Sequence, residues 1–295
     1  MKWNSALKIF YIRKKISLEE EKINIYFLVI VLGALLIFFV LFLLGKIFST
    51  IEYIYATRTN KPLFIHFYWP LRKLTQDQKQ FISKRFSFYR QLNPRKQLFF
   101  DHRVSGFLKH KTFEGRSGFV VTPEVELYVA ATAVMLTFGM RRYKLPILQK
   151  ILIYPEIYRS TITKQDHKGE FNPLLKTMVL SWKDFLLGFE HRSDNVNLGI
   201  HEFIHVIQIN SYKESSISGD IFIDASKEII NKLKKDSYRN YVLHSKFFRN
   251  YAFTNEFEFI AVLVEHFIES PQRLKQEFPD LYIKTREMLN YRMIH

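Results

Sequence analysis

The 295-residue sequence contains no cysteine. This absence excludes a disulfide framework, a thiolate zinc finger, an iron–sulfur cluster and a cysteine nucleophile. Any metal site in this chain is therefore built from histidine, aspartate and glutamate. Glycine and proline are scarce too, at 10 and 9 residues, which excludes collagen-like and linker-rich architectures. With 47% hydrophobic and 24% charged residues, we expect a folded chain with a substantial core.

Acidic residues are few relative to basic ones, at 28 against 44, so the formal net charge is +16. Such a surplus favours anionic partners. The sequence has neither a compact nucleic-acid-binding motif nor a long Arg-Gly or Lys-rich tail, so we expect no nucleic acid partner. A membrane surface is the favoured partner, and the alternative is a solvated basic surface.

Charge is missing altogether between Lys22 and Lys46. At 1.5 Å per residue, a helix over 23–45 is long enough to cross a hydrocarbon core of about 30 Å. A buried core helix rarely runs so long without charge, and a signal peptide has a shorter apolar region and a cleavage site of small residues. The sequence predicts one retained transmembrane helix over 23–45, between a basic tail (1–22) and an irregular, aromatic juxtamembrane connector (46–68).

The basic residues on the two flanks suggest an orientation for this span. Six precede it and three follow it, which favours a cytoplasmic N-terminus and a main domain outside the cytoplasm. They are Lys2, Lys8, Arg13, Lys14, Lys15 and Lys22 before the span, and Lys46, Arg58 and Lys61 after it. The difference is modest, so the side on which the main domain lies stays open at this point.

The remaining chain, 69–295, reads as one α+β domain, mainly helical with a small sheet. Thr75 is a suitable N-cap for a helix that Asn93-Pro94 ends. The later part of 119–138 is typical of a buried helix. We predict strands at 149–154 and 178–182, with a loop or hairpin between them, and helices at 195–210 and 256–269.

His201-Glu202-Phe203-Ile204-His205 forms an HExxH motif. Residues four apart share a helix face, so both imidazoles can bind one metal ion. Glu202 then lies beside the open coordination position, where it can accept a proton from metal-bound water. The alternative is an ordinary helix surface that happens to carry two histidines and a glutamate.

Two histidines and a water leave one protein ligand to be found. The best candidates lie in an apolar helical pattern over 251–266 that glutamates interrupt. Glu258 and Glu265 are seven residues apart and share a face, so one could bind the metal while the other holds a ligand imidazole. Spacing alone does not choose between them, and solvated glutamates at a helix start are the alternative.

The segment HEFIH at 201–205, together with YAFTNEFEFIAVLVEHFIESP from Tyr251 onward, resembles the Mlc titration factor A (MtfA) family of zinc-dependent peptidases. The catalytic core of that family is similar to that of anthrax lethal factor. Further agreement lies in LTQDQK (74–79), LIYPEIY (152–158), VLSWKDF (179–185), NLGIHEFIH (197–205) and FPDLY (278–282). The resemblance covers about 69–288 and implies a zincin-type metallopeptidase domain.

The resemblance also implies roles for individual residues. His201, His205 and Glu258 would bind one Zn²⁺ per chain, and Glu202 would be the general base. Tyr251 would stabilise the tetrahedral oxyanion, for which a phenol donor is suited; a plain packing aromatic is the alternative. Glu265 matches a family glutamate further along the helix, and we expect it to orient a ligand histidine.

Two features depart from the family. Gln208 stands three residues after His205, where the family commonly has aspartate, which weakens inferences about the electrostatics around the ligands. Family members such as the bacterial regulator-binding protein lack a membrane anchor, which puts a cytoplasmic transcription-factor partner in doubt.

The function expected from the sequence is that of a membrane-anchored zinc metallopeptidase acting on a peptide or protein substrate. One alternative is a zinc-containing binding protein that captures a transcriptional regulator or an envelope partner with little hydrolysis. Another is a basic membrane-surface scaffold without metal. The HExxH motif favours the peptidase, because a pure binding protein has no need of Glu202.

Overall fold

The computed structural model describes residues 3–159, 166–191 and 194–291. The chain divides into two compact units, Met1–Ile54 and Tyr55–His295. Each unit is described by itself below.

The first unit consists of helix α1 (Trp3–Thr59), whose last residues enter the second unit. Apart from Val31, all residues of 23–45 are exposed, and α1 is long and apolar enough to be a candidate membrane span. The expectation of an irregular connector from residue 46 is wrong as far as Thr59, because α1 continues to that point. Residues 46–59 contain no glycine or proline to break it, and the helix ends where Asn60 takes a positive φ of 50°.

The second unit opens with helices α2 (Gln76–Arg85), α3 (Ser87–Gln91), α4 (Pro94–His110) and α5 (Pro123–Thr137). Thr75 caps α2 in a capping box with Gln78, as its sequence position predicts. The single helix expected up to Asn93-Pro94 is instead divided at Phe86, which takes an extended conformation and buries its ring. Asn93 then caps α4, with Pro94 at its first position.

Strands before and after α5 form a four-stranded sheet, with strand order β1-β2-β6-β5. Its strands are β1 (Thr112–Gly115), β2 (Lys150–Tyr154), β5 (Gly169–Asn172) and β6 (Thr177–Ser181). The short strands β3 (Tyr158–Arg159) and β4 (Asp166–His167) form a separate antiparallel pair. The first three strands in the order are parallel, and β5 pairs antiparallel with β6 at the edge. The predicted strand 178–182 ends one residue early, because Ser181 caps the next helix and Trp182 begins it.

Helices dominate the rest of the unit, which confirms the mainly helical α+β fold. They are α6 (Trp182–Glu190), α7 (Leu198–Lys213), α8 (Ile217–Leu233), α9 (Asp236–His244), a 3₁₀ turn (Asn250–Phe253), α10 (Glu256–Glu269), α11 (Pro271–Glu277) and α12 (Pro279–Met288). Helix α7 packs against α5, α8, α10 and the edge strand β5. It therefore lies at the centre of the unit, with the HExxH segment in its first two turns.

Candidate metal centre

Helix α7 brings two histidines to one face. The Asn197 side chain accepts a hydrogen bond from the Ile200 amide at 3.0 Å and fixes the start of the helix. His201 and His205 follow one turn apart, and their Nε2 atoms lie 3.0 Å from each other. The predicted sharing of a helix face by the two imidazoles is confirmed.

Helix α10 adds a carboxylate to this pair. Asn255 caps α10 by accepting a hydrogen bond from the Glu258 amide at 3.0 Å, so Glu258 lies in the first turn. Its Oε2 lies 2.9 Å from His201 Nε2, and its Oε1 lies 3.4 Å from His205 Nε2. One ligand atom from each of the three residues lies within 4.8 Å of the others, as binding of a single metal ion requires.

The proton on His201 shows why these atoms suit a cation. His201 Nδ1 lies 2.7 Å from the Glu265 carboxylate, which can only accept a hydrogen bond, so Nδ1 carries a proton and Nε2 is left to face Glu258. Glu258 Oε2 is buried and faces His201 Nε2 at 2.9 Å. Two imidazole nitrogens and one carboxylate are a donor set of catalytic zinc sites, so these residues fit the metal ion that the sequence predicts.

When no metal ion is bound, a proton on His201 offsets the negative charge of Glu258 and Glu265. Burial disfavours the imidazolium form of His201, but the carboxylates of Glu258 and Glu265 outweigh it and raise the pKa of His201 to about 9. Burial likewise opposes ionisation of Glu258, but hydrogen bonding to His201 and His205 prevails and lowers the pKa of Glu258. The centre is thus arranged to hold positive charge, whether that of a proton or that of a metal ion.

Glu265 is fully buried, and its carboxylate accepts hydrogen bonds from both side-chain and backbone donors. Besides His201, it accepts hydrogen bonds from the Asn197 amide at 2.8 Å and from both terminal nitrogens of Arg249, at 3.0 and 2.7 Å. The fork of Arg249 neutralises the carboxylate, which would otherwise be a costly buried charge. Arg249 also donates to the Asn195 carbonyl at 2.8 Å, so it is held in place itself.

Arg249 is the site residue that the sequence analysis missed. A glutamate inside an apolar helix does signal that a cationic partner is needed. The sequence offers 44 lysines and arginines, and no periodicity marks Arg249 among them, because the 3₁₀ turn before α10 brings it to Glu265.

Glu202 lies on α7 beside the two histidines and is buried. Burial raises the pKa of Glu202, although His201 and His205 oppose the shift. A Cβ atom added to Gly169 would come within 2.7 Å of Glu202 Oε1, so only glycine lets the edge strand β5 approach this carboxylate so closely.

Tyr251 lies in the 3₁₀ turn with its ring centroid 5.9 Å from that of His201. It is half-exposed and lines a cavity of about 550 Å³ together with His201, Glu202 and Arg249. Burial, followed by the charge of Glu258, raises the pKa of Tyr251 to about 12, so the phenol keeps its proton at neutral pH.

Gln208 stands at the position where the family commonly has aspartate. Its side chain donates to the Phe257 carbonyl at 3.1 Å and thereby joins α7 to the first turn of α10. In this chain the position links the two helices that carry the metal-ligating residues and adds no charge to the centre.

The fold and the donor set together define a metallopeptidase-type domain. The sequence profile of the glucose-regulated metallo-peptidase M90 family matches residues 69–290, so the chain belongs to this family. The resemblance to MtfA-type peptidases is thereby confirmed, and the family implies a bound metal ion. The uncharacterized protein slr2042 of Synechocystis sp. (strain ATCC 27184 / PCC 6803 / Kazusa) is 26% identical over 238 residues, which cover 73% of this chain and 84% of that protein.

Proposed function

We propose that this chain is a membrane-anchored, zinc-dependent metallopeptidase that hydrolyses peptide bonds. The observation that carries the proposal is the convergence of His201, His205 and Glu258 beside the buried carboxylate of Glu202. His201 and Glu202 also line a cavity. Membership of a metallopeptidase family supports the same function. In this proposal the peptidase domain comprises 69–295, and one Zn²⁺ is bound per chain.

Zinc, when bound by His201, His205 and Glu258, supplies a Lewis acid that polarises the substrate carbonyl and lowers the pKa of water. Glu202 accepts a proton from the attacking water and passes it to the leaving amine. The raised pKa of Glu202 makes its carboxylate a stronger base for the first transfer, and the leaving amine, which is more basic than a carboxylate, then takes the proton.

Two further side chains assist in this scheme. Tyr251 keeps its phenol proton and donates a hydrogen bond to the oxyanion that develops on the substrate carbonyl. Glu265 holds the Nδ1 proton of His201, which fixes the orientation of that imidazole, and Arg249 fixes Glu265 in turn.

The edge strand β5 is suited to binding a substrate. An extended peptide can add to the edge of a sheet through backbone hydrogen bonds, which recognise any sequence. Gly169 at the start of β5 lies against Glu202, so a peptide aligned along this strand passes close to the general base. This supports a peptide or a flexible protein segment as the substrate.

In this proposal α1 anchors the enzyme by crossing the membrane once, through 23–45. Its exposed apolar surface and its length support this assignment. The excess of basic residues before the span favours a cytoplasmic N-terminus and a peptidase domain on the other side of the membrane.

The test is metal analysis of the purified full chain together with peptide hydrolysis by the wild type and Glu202→Gln. We expect one zinc per chain in both, and a loss of hydrolysis of roughly 10²–10⁴-fold in the variant, because Glu202 transfers protons and binds no metal. Glu256→Gln is the matched control: this glutamate on α10 is 57% exposed and pairs with Lys234. If Glu202→Gln hydrolyses peptides as fast as the wild type, the hydrolytic proposal is wrong and a zinc-containing binding protein replaces it.

A further inference from the structure

Residues 60–73, which we call the docked connector, follow α1 and are held against helix α4 and other parts of the second unit, to which they belong. Tyr68 accepts a hydrogen bond from Arg103 Nε at 2.6 Å, and its ring stacks on His102 with centroids 4.2 Å apart. The ring of His66 stacks on that of Phe99 at 4.8 Å. The side chains of His66 and Tyr68 therefore point toward helix α4.

Backbone and side-chain hydrogen bonds fix the rest of this segment. They join Asn60 Nδ2 to Glu287 Oε1 (3.0 Å), Arg141 Nε to the Phe64 carbonyl (3.2 Å), Arg103 Nη2 to the Ile65 carbonyl (3.4 Å) and the Arg72 amide to His102 Nδ1 (3.0 Å). The docked connector is thus a defined surface element of the second unit.

The side chains of Phe67 and Trp69, on either side of Tyr68 in the sequence, point away from helix α4. Phe67 is 83% exposed and Trp69 is 94% exposed. A group of exposed apolar side chains, unlike a single one, marks a site of interaction. Here two large aromatic side chains are presented by a backbone whose neighbouring side chains, His66 and Tyr68, are packed on helix α4.

Along the chain, the charge that flanks this aromatic pair is of one sign. Between Glu52 and Asp77 the sequence contains no acidic residue, while Arg58, Lys61, Arg72 and Lys73 are basic. Aromatic side chains that lie among lysines and arginines are typical of the lipid–water interface. A cationic segment is attracted to anionic lipid headgroups within a Debye length.

Apolar exposure also continues along the chain from the candidate span towards this pair. Near its end, helix α1 still exposes Ile51, Tyr53 and Ile54. Only seven residues separate Thr59, where α1 ends, from Phe67.

We propose that Phe67 and Trp69 lie in the lipid–water interface of the membrane that α1 spans, and that they hold the peptidase domain against an anionic bilayer. This inference rests on the membrane anchor in the proposed function. It adds a second membrane contact, made by the folded domain itself.

The absence of cysteine makes the test direct, since any cysteine introduced is the only labelling site. Phe67→Cys and Trp69→Cys each keep the other aromatic residue. Leu36→Cys, within the candidate span, is the lipid reference. Leu174→Cys, in the turn after β5, is the aqueous reference, because Leu174 is an apolar residue that is 88% exposed. Each full-length variant is labelled with a nitroxide and reconstituted into liposomes of phosphatidylcholine and phosphatidylglycerol.

The measurement is the collision rate of the nitroxide with oxygen, which concentrates in lipid, relative to that with a polar nickel chelate. We expect the ratio at positions 67 and 69 to be several-fold higher than at 174 and lower than at 36. Removing phosphatidylglycerol should lower the ratio at 67 and 69 and leave it unchanged at 36, because the span does not depend on charge.

Three results would overturn the inference. If 67 and 69 match 174 while 36 is lipid-exposed, the anchor stands and the interfacial contact is wrong. If neither reagent reaches 67 and 69, protein covers the pair. If 36 is itself in water, the membrane anchor fails and this inference fails with it.

Discussion

Proteins usually bury apolar side chains and expose charged ones, and both the metal centre and the docked connector depart from this distribution. The metal centre buries charged groups, and the docked connector exposes apolar ones. At the metal centre, Glu202 and Glu265 are carboxylates buried inside the unit, whereas in the docked connector Phe67 and Trp69 are aromatic residues left in contact with solvent. A buried charge must be paired within the fold, and Arg249 and His201 pair with Glu265. The described residues leave both aromatic rings uncovered, and we therefore look for their partner outside this part of the chain.

The largest effect that would test this comparison concerns the choice of ligand. Glu258→Ala leaves two protein ligands and should reduce zinc from one per chain to close to none. Glu256→Ala, two residues earlier on the same helix, should keep its zinc. Metal analysis after dialysis against a weak chelator measures both, and zinc retained in Glu258→Ala would place the third ligand elsewhere.

A smaller effect is expected from the phenol near the ligands. Tyr251→Phe should lower kcat by about 10²-fold or more, as for one lost oxyanion donor, and leave zinc content unchanged. Tyr212→Phe serves as the control, because Tyr212 is an exposed tyrosine near the end of α7 that does not line the cavity. Equal turnover by Tyr251→Phe and the wild type would make Tyr251 a packing residue.

A smaller effect still is expected from Glu265, the carboxylate that accepts a hydrogen bond from His201 Nδ1. Glu265→Ala should weaken zinc binding by about 10–100-fold, because it removes the group that orients a ligand imidazole. Arg249→Met should weaken it by about 10-fold or less, since Glu265 remains, and Arg249→Lys should fall between Arg249→Met and the wild type because lysine keeps the charge without the fork. Competition with a chromophoric chelator gives the affinities. A greater loss in Glu265→Ala than in Glu258→Ala would reverse our assignment of the two glutamates.

Per pH unit, the smallest effect belongs to the docked connector. Burial, together with the charges of Arg103 and Lys96, lowers the pKa of His66 to about 3, against about 6.5 in an unfolded chain. Between these two values the unfolded state binds the proton and the folded state does not, so His66 lowers the free energy of unfolding as the pH falls from about 6.5 towards 3. His66→Phe should make this decline shallower by up to about 1.4 kcal/mol per pH unit.

Denaturant unfolding of the full chain in detergent at several pH values measures the slope. His244→Phe, at an exposed histidine on α9, should keep the slope of the wild type. A slope in His66→Phe equal to that of the wild type would mean that His66 takes up its proton in the folded state as well.

Much of the fold could be predicted from local patterns in the sequence. The bounds predicted for α10 agree with the structure, because an asparagine cap precedes an apolar periodic run. The helix of the HExxH motif and the strand near 150 were likewise accessible from periodicity. The helical continuation over 46–59 was missed, because the aromatic composition after the span favoured an irregular connector, although this segment contains no glycine or proline to end the helix.

At the candidate site, local sequence patterns could not predict which role each residue has. Two glutamates seven residues apart share a face, so no spacing rule could assign Glu258 and Glu265 to different roles. In the structure they approach different nitrogens of one imidazole, with Glu258 near Nε2 and Glu265 at Nδ1 of His201. That distinction depends on how α10 packs on α7, as does the contact of Arg249, and such tertiary contacts are absent from a single sequence.

The approach of α10 to both nitrogens of His201 has a consequence for comparing relatives of this protein. Inserting or deleting one residue between positions 258 and 265 would turn one carboxylate about 100° around the helix and away from the ring. Changes in chain length should therefore be rare in those two turns. A relative that keeps HExxH but changes this seven-residue interval should have lost the carboxylate behind its first histidine, and the interval can be read from sequence alone.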